Sequence, residues 1–320
     1  MKEASILIIH HGALGDVVSA FPALLRLKKL YGSMAVICQS NIGQLARELD
    51  IVDNWFPLEA AAFATLYSGQ IDPIVKDILR SYRKIILFSR SHLLEKTIYS
   101  ISEHDIYRIQ PRPDLGQKIH VTQHILSNLV RHRLLEESNK DTGIPLSLSI
   151  HGDRRSPQYD PLKIMIHPGS GSRKKCWPIS NFVKVASSIK ANGKKVEFIF
   201  GPAEYDLCDI LLNSKRVSAK VHRLDKLKEL AKMLKTAGGF IGNDSGVSHL
   251  AAFIGLPTVA VFGPSDPKTW QPMGRAVTVV RPDLECSPCF ETGTVGCEEI
   301  ECFGRIFPED VLAAIYGLVG

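Results

Sequence analysis

Short apolar runs alternate along almost the whole chain with stretches whose apolar residues recur every three or four positions. The first kind predicts buried strands and the second predicts helices packed on them, so the alternation points to parallel sheets with helical crossovers. In the first half, strands are expected at 5–10, 34–38 and 84–89, with a weaker one near 51–56. The helix after Asp16 presents Val17, Ala20, Leu24, Leu25 and Leu27 on one face and ends near Gly32. Pro22 falls in its early turns, where a proline does least harm.

A second series follows the polar, proline-containing stretch 151–161, which reads as an interdomain linker. Strands are expected at 163–167, 196–200, 220–224, 239–242, 258–262 and 276–280, and helices starting near Ser180, Ala203, Asp225 and Gly246. In the Asp225 helix the aspartate reads as the N-cap, Leu227, Leu230, Ala231 and Leu234 as the buried face, and Gly238 as the residue beyond its end. A last helix opens at Pro308, with Glu309 and Asp310 in its first turn; packing back on the first domain is one expectation for it. The reading is α/β: two doubly wound, Rossmann-like domains, 1–155 and 156–320, facing a central cleft. In such sheets ligands bind at the C-terminal ends of the strands.

At 320 residues the chain is long enough for two domains. Its 39 Lys+Arg against 33 Asp+Glu give +6 with no dense basic block. That argues against nucleic acid and for an anionic small molecule or membrane surface. No apolar stretch approaches ~18 residues, and the first apolar run is too short for a signal-peptide core. A cytoplasmic protein with reduced cysteines is expected.

Four segments carry chemistry. His10-His11-Gly12-Ala13-Leu14-Gly15-Asp16 leads from the first strand into a helix. Gly12 and Gly15 suggest the tight turn of a phosphate cradle, yet Asp16 would repel a phosphate there; as a plain first-turn acid it would need no ligand at all. Asn243-Asp244-Ser245-Gly246-Val247-Ser248-His249 makes a second strand-to-helix turn. Asp244, Ser245 and Gly246 suit a helix start whose N–H groups face an anion, with His249 one turn on and on the side of Ser245. A simple cap with a packed histidine is the alternative.

In the third segment, His167-Pro168-Gly169-Ser170-Gly171 runs into Arg173, Lys174 and Lys175. Ser170 and Gly171 permit close backbone approach, and Lys174 or Lys175 could neutralise a diphosphate, unless the charge run is only a solvated face. In the fourth, Glu204 follows the next strand in Gly201-Pro202-Ala203-Glu204, where a carboxylate could bind the paired hydroxyls of a ribose. An acid in a first helical turn is common in any case.

Taken in order, GALGDVV near the start, HPGSG…KKCWP, and NDSGVSHLAAFIGLPTVAVFGPSDPKTWQPMG resemble glycosyltransferase family nine, the ADP-heptose:lipopolysaccharide heptosyltransferases. The resemblance is strong over 164–274 and at the start of the chain, and faint through 40–160. It implies the GT-B architecture and an inverting transfer of heptose from ADP-heptose, or from a related nucleotide sugar, with no cofactor required for catalysis. The implied acceptor is a lipid-linked, anionic glycan of the lipopolysaccharide inner core (Kdo-lipid A type), met by peripheral association with the inner face of the inner membrane.

The resemblance also implies roles. Asp16 becomes the general base, presented by the acceptor-side loop of Gly12 and Gly15. Lys175, rather than Lys174, meets the leaving diphosphate together with the helix start at Asp244, Ser245 and Gly246. Ser170 and Gly171 contact phosphate, Glu204 the ribose, and Asp244 and His249 the sugar or adjoining phosphate. Rival readings are transfer of another sugar to a different glycan or protein, an epimerase of the same architecture, and a noncatalytic sugar-nucleotide-binding module. A base alongside Lys175 and Asp244 argues against the last.

Two features stand apart. Pro57-Leu58-Glu59-Ala60-Ala61-Ala62 carries no cation where an anionic acceptor would want one, leaving Arg80, Arg83, Lys84, Arg90 and Lys96 as substitutes. Cys286, Cys289, Cys297 and Cys302 include one C-x2-C pair. They fit a structural zinc or iron site that ties down a loop, with free thiols or disulfides left open as alternatives. Cys38, Cys176 and Cys208 read as isolated thiols.

Overall fold

The computed structural model describes residues 5–67, 70–102, 104–137, 157–214, 219–284, 288–290 and 301–320. These form two compact units, with residues 115–120 clustering with the second. The first unit is a five-stranded sheet of β1 (Ile6–His10), β2 (Met34–Cys38), β3 (Asn54–Pro57), β4 (Lys84–Phe88) and β5 (Asp105–Ile109). Its helices are α1 (Leu14–Tyr31), α2 (Ser40–Glu48), α3 (Ala61–Ala64), α4 (Pro73–Ser81), α5 (His92–Tyr99) and α6 (Val121–Arg131). The strand order is β3-β2-β1-β4-β5, all parallel.

Strand β1 is covered on both faces, which is why Ile6-Leu7-Ile8-Ile9 is apolar without alternation. Ile8 lies in register between Val36 and Ile86. Helix α1 stops where Gly32 takes φ 72° and donates its N–H to the Lys28 carbonyl.

The second unit is a six-stranded parallel sheet ordered β11-β10-β9-β6-β7-β8. Its strands are β6 (Asp160–His167), β7 (Lys195–Phe200), β8 (Lys220–Arg223), β9 (Ala237–Asn243), β10 (Thr258–Val261) and β11 (Val277–Val280). Around them lie α7 (Ile179–Ala191), α8 (Tyr205–Ser214), α9 (Leu227–Leu234), α10 (Gly246–Phe253), α11 (Pro267–Trp270) and α12 (Pro308–Val319). The core gathers Trp177, Phe182, Val185 and Ile189 with Phe198, Phe200 and Ile241. Val311 and Ile315 of α12 are fully buried in this same core, so the apolar face of the last helix is spent on the second unit. Among the described residues no helix is long and apolar enough to cross a membrane.

Each chain half starts in the middle of its sheet, builds to one side, then crosses to the other. The order reverses between β1 and β4 in one unit and between β6 and β9 in the other. Such switch points leave a crevice beyond the carboxyl ends of the strands. Asp16 follows β1, the loop of Ser170 to Lys175 follows β6, and Asp244 to His249 follow β9.

Several local expectations change. The chain is already in β6 at Asp160, inside the expected linker, while the expected domain boundary at 155/156 lies outside the described residues. Helix α9 begins at Leu227 with Lys226 as its N-cap, because the Asp225 carboxylate instead accepts from the Tyr205 hydroxyl. Gly238 sits inside β9, where a Cβ would lie 2.1 Å from the Pro161 carbonyl oxygen. Near Ala203 a 3₁₀ turn, Pro202–Glu204, precedes α8.

Candidate active site

Asp16 occupies the third position of α1, and its Oδ2 accepts the Ala13 N–H at 3.2 Å. It is therefore a first-turn acid that closes a helix start, and it is 7% exposed. It is also forked by Arg112: Nε donates to Oδ1 at 2.9 Å and Nη2 to Oδ2 at 2.7 Å. Gly12 matters for space, not for a left-handed turn, since a Cβ there would lie 2.6 Å from Asp16 Cβ and 2.7 Å from His10 Cε1. Gly15 is the second residue of α1 and its carbonyl accepts the Ser19 hydroxyl. The expected glycine turn is thus a close-packed corner under a carboxylate.

Behind that corner lies His10, stacked on Phe88 with ring centroids 4.9 Å apart. Its Nδ1 accepts the Gly12 N–H at 3.0 Å, which leaves the ring proton on Nε2, a buried atom with no partner among the described residues. Burial drives its pKa down to about 4, against the opposing pull of Asp16. The ring is a neutral prop.

In the second unit Asn243 ties two loops together. Its Oδ1 accepts the Trp177 N–H at 3.0 Å, and its Nδ2 donates to the Pro168 carbonyl at 2.7 Å. The Ser170 hydroxyl donates to the Asp244 carbonyl at 2.6 Å, so its side chain holds the two loops together. Gly171 faces open space. Of the three cations, Arg173 pairs with Asp206, Lys174 is exposed, and Lys175 turns inward to place Nζ 2.8 Å from Asp244 Oδ2. The Phe290 ring lies 4.2 Å from that ammonium, and the Ser265 hydroxyl donates to the same Oδ2. Asp244 Oδ1 accepts from no described residue.

Helix α10 starts beside this pair. Ser245 caps it, its Oγ accepting from the Ser248 N–H, and buried His249 sits one turn further in. The opening N–H groups carry the positive end of the helix dipole. Glu204 closes the far side: its Oε2 accepts the Gly201 N–H at 2.9 Å and lies 3.7 Å from His167 Nε2. Burial pushes this carboxyl up, but the His167 ring and the Gly201 N–H outweigh it, and the net pKa is low. Glu204 is ionised and packs onto Gly169, where a Cβ would fall 2.3 Å from its Cγ.

Beside the predicted residues of the two units lie three that the sequence did not single out. Arg112 is 96 positions from Asp16, Ser265 is 21 from Asp244, and Phe290 comes from the cysteine-bearing stretch. The N–H groups of Cys289 and Phe290 both donate to the Pro264 carbonyl. Cys286 and Cys297 lie outside the described residues. Among the described residues no group of three or more metal-ligating side chains is gathered.

Two Rossmann-type parallel sheets, each with its own switch point, are the domains of a GT-B fold. The sequence profile of glycosyltransferase family 9 (heptosyltransferase) matches residues 121–297, and the chain belongs to that family. Lipooligosaccharide heptosyltransferase 2 of Campylobacter jejuni is 27% identical over 93% of this chain and 93% of its own length. Lipopolysaccharide heptosyltransferase 1 of Pseudomonas aeruginosa is 29% identical over 50% of this chain and 46% of its own. Among solved structures, the family 9 glycosyl transferase from Veillonella parvula superposes with a TM-score of 0.77 at 18% identity, covering 100% of this chain and 98% of that one. Escherichia coli heptosyltransferase WaaC with ADP gives 0.75 at 15%, covering 98% and 99%.

Proposed function

We propose that this glycosyltransferase moves a heptose from ADP-heptose onto an anionic, lipid-linked acceptor of the lipopolysaccharide inner core, with inversion and without a catalytic metal. The observation that carries the reading is Lys175, turned inward beside the start of α10 at the switch point of the second sheet. A cation and a helix N-terminus together stabilise the charge that develops on a departing diphosphate. Lys175 and the α10 N–H groups take that charge, Glu204 binds the ribose hydroxyls, and the open Oδ1 of Asp244 accepts from the sugar. Asp16 takes the proton of the acceptor hydroxyl. The acceptor oxygen bonds to the anomeric carbon as the carbon–oxygen bond to the diphosphate breaks, its electron pair leaving with ADP. The relatives named as lipopolysaccharide and lipooligosaccharide heptosyltransferases support the choice of sugar and acceptor. The net +6 supports attachment to an anionic inner leaflet from the cytoplasmic side.

The test is nucleotide release from ADP-heptose and from UDP-sugars, with and without core-truncated lipopolysaccharide, in the presence of a chelator. Release from ADP-heptose that needs the acceptor, with one heptose added to the product mass, is expected. Isomerised donor without transfer identifies an epimerase, and donor binding without turnover a binding module.

A further inference from the structure

We propose that Arg112 is a latch on the base, and that an anionic group of the acceptor opens it. The proposal deepens the assignment of Asp16 above. A carboxylate has about four lone-pair positions, and three here are filled: two by the Arg112 fork and one by the Ala13 N–H. The remaining position is on Oδ1 and accepts from no described residue. An incoming hydroxyl meets that one Oδ1 position beside a guanidinium already bonded to the same oxygen. As the pair stands, Asp16 is held but engaged.

The geometry says which partner moves. The Asp16 side chain is 7% exposed and tied into α1, whereas the Arg112 side chain is 54% exposed and covers the carboxylate from the solvent side. The loop beneath Arg112 is pinned independently. Arg90 Nη2 donates to the Arg112 carbonyl, the Pro113 carbonyl and Asp114, each at 3.3 Å. A swing of the Arg112 side chain over this backbone breaks the fork and leaves Asp16 in place. Neither neighbouring histidine supplies a replacement charge, because His10 is held neutral and His11 is likewise shifted toward its neutral form by burial.

A planar guanidinium leaves one oxyanion readily only for another of similar geometry, a carboxylate or a phosphate. An acceptor carrying such a group near its reacting hydroxyl would draw Arg112 away and free Asp16 in one event. Water carries no such group, so the same latch suppresses wasteful hydrolysis of the donor.

The test uses a Kdo-bearing acceptor glycoside, its carboxyl methyl ester, and the ester bearing a neighbouring phosphate. The wild-type chain should lose about tenfold or more in kcat/KM on the plain ester. Recovery on the phosphorylated ester would show that either oxyanion opens the latch, and no recovery would confine the role to the carboxylate. Arg112→Gln should treat acid and ester alike and should hydrolyse donor faster in the absence of acceptor, with Arg112→Lys recovering part of the difference. The Arg112 Nε–H resonance of wild-type protein should shift with the acid and stay in place with the plain ester. Equal use of acid and ester, discrimination retained in Arg112→Gln, or an unmoved resonance each overturns the latch. If the wild-type chain transfers no sugar from any donor, the proposed function falls, while the resonance still decides whether acceptor anions release Arg112.

Discussion

Lys175 and Asp244 are 69 residues apart in the chain and 2.8 Å apart in the fold, so the proposed donor-side cation rests on a carboxylate whose second oxygen accepts from no described residue. Lys175→Ala should weaken ADP binding about ten- to a hundredfold, the loss of one charge-assisted contact, and slow transfer as well. Exposed Lys174→Ala should change ADP binding by less than about twofold. Calorimetric titration of both variants checks this, and the reverse ranking would move the donor cation by one residue.

Asp16→Asn should keep ADP affinity within a few-fold and cut turnover by about a hundredfold or more, the usual weight of a positioned base. Parallel losses in binding and turnover would show that the helix start, not proton transfer, is what Asp16 supplies.

Gly169→Ala puts a methyl into the space of Glu204 Cγ. The carboxylate must move, so affinity for ADP should fall by several-fold while affinity for inorganic diphosphate, which has no ribose, holds. The added methyl should also cost about 1–3 kcal/mol of stability. Equal losses for both ligands would place Glu204 away from the ribose.

His10 gives stability a pH dependence of known sign. The ring is neutral when folded, with a pKa of about 4, and titrates near 6.5 when unfolded. Its contribution is complete above pH 6.5 and is lost as the pH falls toward 4, a change of roughly 3 kcal/mol. In His10→Asn, which can still accept the Gly12 N–H, the fall in unfolding free energy between pH 7 and 4 should be smaller by about that amount. Denaturant titrations at the two pH values make the comparison, and an unchanged fall would mean that the ring is charged in the fold.

A metal held by the four cysteines would appear as about one zinc or iron per chain in elemental analysis. Chelation should lower thermal stability and leave ADP binding intact. Loss of ADP binding on chelation would refute a donor site built on Lys175 and α10. Metal-free protein of full stability would return the cysteines to ordinary thiols.

The central strands were legible because they are buried on both faces and so read as apolar runs; β1, β2 and β4 fall within a residue of expectation. Strand β5 was not, since Asp105-Ile106-Tyr107-Arg108-Ile109 lies at a sheet edge and carries charges that a run-based reading treats as loop. The segments around Asp16, Lys175 and Asp244 were legible because strand, small residues and helix start follow one another locally. Arg112 and Ser265 were not, because their roles come from chain segments that only the sheet order brings near. Asp225 misled in the opposite way: a good capping residue was taken by the Tyr205 hydroxyl.

Trp177 offers a use beyond holding the core. Its indole is 1% exposed, meets Phe182 edge-on at 5.0 Å, and donates its N–H to the Ile306 carbonyl. Trp55, on strand β3, is the sole indole among the first unit's described residues and is partly open to water. In a Trp270→Phe chain, which lacks the third, half-buried indole of the second unit, emission from the two remaining rings should therefore differ in colour, blue from the walled-off indole and redder from the wetter one. One fluorescence melt can then report separately on the two units, and Trp177, two residues from Lys175, is placed to register without a label any ligand that binds at the proposed donor site.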